Sequence, residues 1–397
     1  MKVLQINSVC GRGSTGRIAT DLADILHEQG HDSRIAYGRE TAPEKYRNIA
    51  IRIGSDRDVR IHGVQTRLLD AHGFGSKKAT RNFLRWATQY DPDIIHLHNI
   101  HGYYLNIELL FQWLKDAGKP VIWTLHDCWS FTGHCPHFTV AGCERWMHAC
   151  NAPCPEKNRY PQSIGLDRCA SNYARKKNAF CGVKNLIIVT PSQWLANLVK
   201  KSFLKEYPVR VIPNGIDLDR FKPTSSPFRK KYNLAEKQIL LGVASVWDDR
   251  KGLQDFISLA SMLRENQKIV LLGLTQEQIS SLPENILGIQ RTNSVTELAE
   301  IYYAADVFLN PTHEDNFPTT NLEALACGTP VITYRTGGSP EALTDSCGLV
   351  VEASPEQMLQ AVGQIEVSQQ ACLDRAKQFD KTTRFLEYLE LYQQVLP

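Results

Sequence analysis

Residues 313–330 read His-Glu-Asp-Asn-Phe-Pro-Thr-Thr-Asn-Leu-Glu-Ala-Leu-Ala-Cys-Gly-Thr-Pro. The run before them, Asp306-Val307-Phe308-Leu309-Asn310-Pro311, is apolar and short, the signature of a buried strand. Leu322, Leu325 and Ala326 then recur on one helical face, and Gly328 with Pro330 stops that helix. A strand therefore ends in an acidic, Asn-containing loop that feeds a short helix. The unpaired N–H groups and positive dipole end of such a helix attract phosphate. Asp315 and Glu323, eight residues apart, bracket the loop, and a carboxylate accepts hydrogen bonds from paired sugar hydroxyls. Thr320 and Glu323 also fit a capping box, in which Glu323 would serve only its own helix.

Working outward, the second half of the chain repeats a strand-then-helix rhythm. Ile239–Val246 reads as a strand, and Trp247-Asp248-Asp249-Arg250-Lys251-Gly252-Leu253 as the turn into a helix. Cations and free N–H groups converge on such a turn, which suits a diphosphate. Further strands are expected at Lys268–Leu272, around Ile289, at Asp306–Asn310 and at Val331–Tyr334. Phe385, Leu386, Leu389, Tyr392 and Val395 form a final amphipathic helix.

The first half has the same rhythm. Lys2–Asn7 leads into Gly11-Arg12-Gly13-Ser14-Thr15-Gly16 and then a helical pattern, the context a Rossmann phosphate loop requires. Arg17-Ile18 stands where a P-loop would carry Lys-Ser/Thr, which argues against magnesium-dependent ATP hydrolysis. Strands follow at Ser33–Tyr37, Asp93–His98, Val121–Asp127 and Asn185–Pro191, the last leading into helix Ser192–Phe203. His126 falls at a strand end, where doubly wound sheets collect ligand contacts.

At 397 residues the chain suits two domains, and no apolar run approaches the ~20 residues of a spanning helix. The N-terminus enters a strand without a signal-peptide pattern, so the cytoplasm is the expected location. Residues 1–200 hold 26 Lys and Arg against 17 Asp and Glu, while residues 201–397 hold 19 against 25. A basic first half suits an anionic surface. Residues 55–90 are Arg-rich and helix-compatible, with Lys77, Arg81 and Arg85 beside Phe74, Phe83 and Trp86. That stripe is either a solvated face over core aromatics or a basic amphipathic seat for reversible contact with anionic membrane, the inner face in this compartment.

Eleven cysteines are many for a reducing compartment. Cys135, Cys143, Cys150 and Cys154 lie within twenty residues of irregular sequence, an insertion at about 128–160. They are candidate ligands of a structural zinc, although no Cys-x-x-Cys pinch is present; buried thiols and disulfides are the other readings.

Asp315-x7-Glu323 followed by Ala-Leu-Ala-Cys-Gly-Thr-Pro-Val-Ile resembles the E-x7-E signature of family 4 glycosyltransferases, with Asp in the first acidic place. Pro213-Asn214-Gly215-Ile216-Asp217, Gly337-Gly338-Ser339-Pro340-Glu341 and Thr124-Leu125-His126-Asp127 resemble further family motifs. The run His126–Cys135 is similar to a subgroup that includes colanic-acid-type exopolysaccharide transferases. Ser245 stands where the family usually has an Arg. The resemblance implies an α/β chain of the GT-B fold: two Rossmann-like, doubly wound domains facing a cleft. The domains are expected at 1–218 and 219–377, with residues 378–397 returning to the first.

It further implies a retaining, metal-independent transferase. Such an enzyme moves a sugar from a UDP- or GDP-type donor to a hydroxyl of a glycan or lipid-linked acceptor, with no nucleic acid partner and no cofactor beyond the candidate zinc. Lys251, Arg250 and the loop from Gly13 to Gly16 would stabilise the departing diphosphate. Glu323 would hold the ribose, Asp315 with the N–H groups of Asn316 and Phe317 the donor sugar, and His126 would support the reacting sugar. Two other readings stay open on motifs alone: an NAD(P)-dependent oxidoreductase using Gly11–Gly16, and a non-catalytic nucleotide-sugar-binding protein.

Overall fold

The computed structural model describes residues 1–396, which divide into two compact units. The first comprises Met1–Pro213 and the stretch from Arg384 onward; the second is Asn214–Thr383. Both crossings lie a few residues from the boundaries expected at 218 and 377. The cause is local pairing: Ile216 bridges Asp380 in parallel, Ile216 N–H donates to Phe379 O, and Lys381 Nζ bonds Asp217 at 2.7 Å. The two connecting segments are thereby tied together within the second unit.

The first unit is built on a seven-stranded, wholly parallel sheet. Its strands are β1 (Lys2–Asn7), β2 (Asp32–Tyr37), β3 (Ala50–Arg52), β4 (Ile94–Leu97), β5 (Val121–Thr124), β6 (Leu186–Thr190) and β7 (Val209–Val211), in the order β3-β2-β1-β4-β5-β6-β7. Every residue of β4 and β5 is buried, as expected of parallel strands covered on both faces. One face packs Leu4, Ile6, Leu97 and Trp123 against helices that include Ile107–Ala117. The other packs Val3, Ile94 and Ile122 against Leu22 and the C-terminal helix Lys381–Val395, through Phe385, Leu389 and Tyr392. Tyr392 Oη also contacts Nδ1 of the buried His96 at 2.5 Å.

The second unit has six parallel strands: β8 (Gln238–Val243), β9 (Gln267–Leu272), β10 (Ile286–Ile289), β11 (Val307–Asn310), β12 (Val331–Tyr334) and β13 (Gly348–Val351). Their order is β10-β9-β8-β11-β12-β13. In each unit the strand order reverses once, between β1 and β4 and between β8 and β11. Ligands of doubly wound sheets bind beyond the carboxyl ends of strands at such a point. Three of the four loops that leave those strand ends, those after β1, β8 and β11, carry motifs quoted above, and the His126 motif leaves the neighbouring β5.

The Arg-rich region 55–90 is two helices, Asp56–Leu69 and Lys77–Tyr90, separated by a turn in which Asp70 and Ser76 are left-handed. Phe74 and Phe83 lie in the core, and Trp86 stacks on Phe83 and Tyr90. Of the aromatics beside Lys77, Arg81 and Arg85, Phe74 and Phe83 thus belong to the core, while Trp86 is half-buried against it. Among the described residues, no helix is long and apolar enough to cross a membrane.

Candidate active site

The site of the second unit is assembled from the ends of β8 and β11. Asp248 caps a single 3₁₀ turn, Asp249–Lys251, by accepting from Lys251 N–H at 3.0 Å. Gly252 follows with φ +77, and a Cβ there would collide with the Pro311 carbonyl. Only glycine lets the β8 turn press this closely on the β11 loop. The contact is then bonded: His313 N–H and Thr312 Oγ1 both donate to Arg250 O, at 2.8 and 3.2 Å. Arg250 Nη1 donates to Glu314 O at 2.9 Å.

Lys251 Nζ forms an ion pair with Asp315 Oδ2, and both side chains are about one-fifth exposed (22 % and 18 %). This one contact joins the two motifs that the sequence placed 64 residues apart. Asp315 Oδ1 accepts from Asn316 N–H at 2.9 Å, so that N–H, expected to face the donor sugar, is turned onto its own loop. Gly338 N–H donates to Asp315 O at 3.2 Å, which brings the Gly337-Gly338 turn against the same loop. The Phe317 ring is buried 5.7 Å from that of Phe379, and its carbonyl accepts from Asn214 Nδ2 at 3.1 Å.

Glu323 is not a cap. The helix runs Thr319–Ala326 with Pro318 at its N-cap and no side-chain cap bond, which puts Glu323 at the fifth position. Its carboxylate is buried and accepts from Tyr302 Oη at 2.9 Å. The sequence reading missed Asn321, which is fully buried. Its Nδ2 donates to Ser339 O and Oγ at 3.2 and 3.1 Å, and its Oδ1 accepts from Asn310 Nδ2 at 2.8 Å. This network pins the helix to β11 and to the Gly337–Ser339 turn, and a polar side chain inside an apolar helical stripe was the available signal. His313 Nε2 bonds Asp255 Oδ2 at 2.9 Å, and that bond raises the imidazole pKa above its usual value.

In the first unit the glycine motif follows β1 as expected, but its Gly13–Gly16 part is the first turn of helix Gly13–Glu28 rather than loop. Gly11 and Gly13 both have positive φ, Gly11 N–H donates to Gly16 O at 3.0 Å, and the Arg12 N-cap makes no side-chain cap bond. The first turn carries no acidic residue, so its dipole end suits an anion.

His126 follows β5. Its Nε2 lies 3.3 Å from His98 Nδ1, and His98 Nε2 lies 3.1 Å from Gln5 Oε1. Gln5 Nε2 is committed to Ala19 O and Ser33 Oγ, so Gln5 offers its oxygen and His98 must donate from Nε2. His98 Nδ1 then accepts from His126 Nε2–H, which leaves His126 Nδ1 as an acceptor. Burial holds the His126 pKa down at about 4, so the ring is neutral near pH 7. Next to it, Asp127 accepts from His101 Nε2 and from Trp129 N–H, both at 2.9 Å. Burial pushes this carboxyl up, but the His101 charge and these bonds outweigh it and hold the pKa at about 2.

Residues 128–168 contain only two single 3₁₀ turns, Trp129–Phe131 and Arg145–Met147. The segment is clamped to the first unit by polar contacts. His134 Nδ1 bonds Asp70 Oδ1 at 2.6 Å, Arg168 N–H donates to Asp70 Oδ2 at 2.8 Å, and Tyr160 Oη lies 3.3 Å from His101 Nδ1. None of the eleven cysteines is in a disulfide. Cys154 hydrogen-bonds to Cys135 and also to Cys169, which lies outside the spacing that drew attention to the other four. Cys135, Cys143, Cys150, Cys154 and Cys169 line a cavity of about 10 Å³. Among the described residues, however, no group of three or more His, Cys, Asp or Glu is set to hold a metal ion.

Metal content decides between the zinc reading and plain thiols. Protein purified without chelator or histidine tag should carry about one equivalent of zinc, released as the cluster thiols react, if these cysteines hold it. Less than about a tenth of an equivalent, with all eleven thiols titratable on unfolding, would leave them as plain thiols.

Two parallel, doubly wound units with motif-bearing loops at both switch points define the GT-B class of glycosyltransferase. The chain belongs to Glycosyltransferase Family 4: the model of that family matches residues 15–220, more than half of the sequence. A second model, "Glycosyl transferases group 1", matches residues 237–366. The chain is 27% identical over 377 residues to the Escherichia coli K12 protein named "Putative colanic acid biosynthesis glycosyl transferase WcaC", covering 91% of this chain and 89% of that one. It is 26% identical over 221 residues to N,N'-diacetylbacillosaminyl-diphospho-undecaprenol alpha-1,3-N-acetylgalactosaminyltransferase of Campylobacter jejuni, covering 51% of this chain and 58% of that one.

Among solved structures, sucrose-phosphate synthase from Thermosynechococcus elongatus superposes with a TM-score of 0.73 at 17% identity, covering 99% of this chain and 98% of that one. Anabaena Alr3699/HepE in complex with UDP-glucose gives 0.66 at 14% identity, covering 99% and 100%. At these identities the structures establish the fold alone.

Proposed function

We propose that this glycosyltransferase takes a sugar from a nucleotide-diphosphate donor and gives it, with retention, to a hydroxyl of a glycan or lipid-linked acceptor in cell-surface polysaccharide assembly. The observation that carries the reading is the pairing of Lys251 with Asp315 at the β8/β11 switch point, beside an Arg250 held in place through Glu314 O. A departing diphosphate needs fixed positive charge, and the reaction needs a carboxylate near the sugar hydroxyls. Two cations and a carboxylate on adjoining loops supply both. Glu323 is assigned the nucleotide ribose, and the Gly13–Gly16 turn a diphosphate contact. The neutral His126 is assigned a donor-sugar hydroxyl. The polysaccharide role rests on the similarity to WcaC over 91% of the chain, and the lipid-linked acceptor on the name of the Campylobacter relative. Membership of the glycosyltransferase family replaces the dinucleotide-oxidoreductase reading of Gly11–Gly16.

The test is slow donor hydrolysis by the purified chain, screened over UDP-, GDP- and ADP-sugars without acceptor. One base should be preferred, and the released sugar should keep its anomeric configuration when first formed. Inverted product would overturn the retaining assignment, and no hydrolysis of any donor would favour a non-catalytic binding protein.

A second expectation concerns Glu323→Gln. Glutamine still accepts from Tyr302 Oη, so thermal stability should barely change, while loss of a charged hydrogen bond to ribose should weaken donor binding by about 1.5–3 kcal/mol. Calorimetric titration with the preferred donor measures it. Unchanged affinity with a lowered melting temperature would make Glu323 a purely structural partner of Tyr302.

A further inference from the structure

Helix Asp56–Leu69 is amphipathic in the wrong sense for a core helix. The residues it buries are polar: His62 and Thr66 are fully covered, followed by Asp70 at the C-cap. Its aliphatic residues point outward, with Ile61, Val64, Leu68 and Leu69 between 42 and 56 % exposed. Ile61, Val64 and Leu68 are spaced three and four apart, so they form one stripe. A second segment extends it. Ile164 and Gly165 N–H groups donate to Arg67 O, and Leu166 N–H to Leu68 O, so three donors close the carbonyl end of the helix. The side chains of two of these donors, Ile164 and Leu166, are left 65 and 47 % exposed. The stripe Ile61, Val64 and Leu68 is thus extended by Ile164 and Leu166, and an exposed apolar surface of that kind marks a docking surface.

The exposed charges of the helix that form no ion pair have one sign. Arg57, Arg60 and Arg67 are exposed on the helix, and none of them forms an ion pair among the described residues. The two acids of the helix are already engaged: Asp56 pairs with Arg52, and Asp58 closes a capping box with Ser55. Aliphatic side chains between unpaired arginines match an interface whose interior is apolar and whose surface is anionic. A second copy of this chain would set the same arginines against themselves, since an isologous contact repeats one patch on both sides.

We infer that the face formed by Ile61, Val64, Leu68, Ile164 and Leu166, with Arg57, Arg60 and Arg67, docks on an anionic lipid bilayer surface. The aliphatic stripe enters the headgroup boundary and the guanidinium groups meet lipid phosphates. This replaces the Lys77/Arg81/Arg85 stripe as the membrane seat. It serves the proposed function by bringing the enzyme to a lipid-linked acceptor, but its test needs no turnover.

The experiment is co-sedimentation of the whole protein with vesicles of phosphatidylcholine alone and of phosphatidylcholine mixed with phosphatidylglycerol, at low and high salt. Wild-type protein should sediment with the anionic vesicles only, and less as salt rises. Arg57→Gln/Arg60→Gln/Arg67→Gln should lower the partition coefficient by about a hundredfold, each basic residue contributing roughly a factor of five. Ile61→Gln/Val64→Gln/Leu68→Gln should lower it by at least about tenfold at every salt concentration. Circular dichroism and donor hydrolysis by both variants should match wild type, so a failed surface leaves the transfer reading standing. Hydrogen exchange on wild-type protein guards against variants that do not fold: vesicles should slow exchange at 56–69 and 163–167. Equal partition into both vesicle types, none into either, unchanged partition of the variants, or slowing confined to 77–90 would each overturn the proposal. So would a lipid-free dimer that the Ile61/Val64/Leu68 variant abolishes.

Discussion

Lys251→Ala should lower turnover by about 10²–10³ with the fold intact, the usual loss when one preorganised group is removed from a developing charge. The ion pair with Asp315 gives this expectation a control. If Lys251 served only to hold the 313–318 loop, Asp315→Asn would break the same pair and cost as much. If Lys251 instead meets the leaving diphosphate, Asp315→Asn keeps the cation and should raise KM for the donor more than it lowers kcat. Arg250→Ala should act differently again. Its guanidinium holds Glu314 O, so its loss loosens the loop and should lower the melting temperature as well as the rate. Steady-state kinetics and thermal melts of the three variants separate these outcomes. A near-silent Lys251→Ala beside a severe Arg250→Ala would move the leaving-group role to Arg250.

The second large effect is on stability in acid. Burial holds the His62 and His126 pKa values at about 4 and that of His96 at about 3, and it puts His72 and His98 well below the ordinary 6.5. All five lie in the first unit. Their folded-state pKa values lie below the unfolded value, so between the two the unfolded chain binds more protons. Stability is therefore unaffected by these groups above about pH 7 and falls as pH drops from about 6.5 towards 4. One pKa unit is worth about 1.4 kcal/mol, so a single fully buried histidine shifted as far as His62 removes on the order of 3 kcal/mol near pH 4. Several acting together rival the whole 5–15 kcal/mol that holds an ordinary domain.

The first unit should accordingly unfold between about pH 6 and 4, before the second. His313 in the second unit runs the other way. Its raised pKa contributes stability that is complete below 6.5 and is lost as pH rises through the folded value. Six of the seven tryptophans, all but Trp247, lie in the first unit, so fluorescence melts follow it selectively. A melting temperature independent of pH from 7 down to 5 would contradict this account.

Much of this was legible in residues. Strand Val331–Tyr334 has the bounds that its apolar run predicts, and the glycine loop and the Lys251 turn lie at the expected strand ends. They were readable because a parallel strand buried on both faces is a continuous apolar run, and the turn after it needs glycine or a cap. Strands β3 and β13 were not foreseen. Ala50–Arg52 is three half-buried residues at a sheet edge, and Gly348–Val351 is an edge strand with one buried residue, so neither leaves a strong pattern. The Glu323 cap was ruled out only by where the helix begins, and a shift of one or two residues changes which side chain can reach back. Cys169, the buried Asn321 network and the outward aliphatic face of Asp56–Leu69 depend on contacts between distant segments, which no local spacing records.

The C-terminal helix has a consequence for biosynthesis. Phe385, Leu389 and Tyr392 complete the apolar layer over β1, β4 and β5, yet they are translated last, after the whole of the second unit. The sheet that leaves the ribosome first must therefore wait with one face covered only by helix Gly13–Glu28 for some 170 residues of further synthesis, from Asn214 to Thr383. The second unit has no such debt, since Ile216 and Asp380 bring its two ends together as soon as it is released. Folding order should thus run against translation order, and a nascent chain stalled before Arg384 presents a half-covered Val3, Ile94 and Ile122 layer to whatever chaperone is at hand.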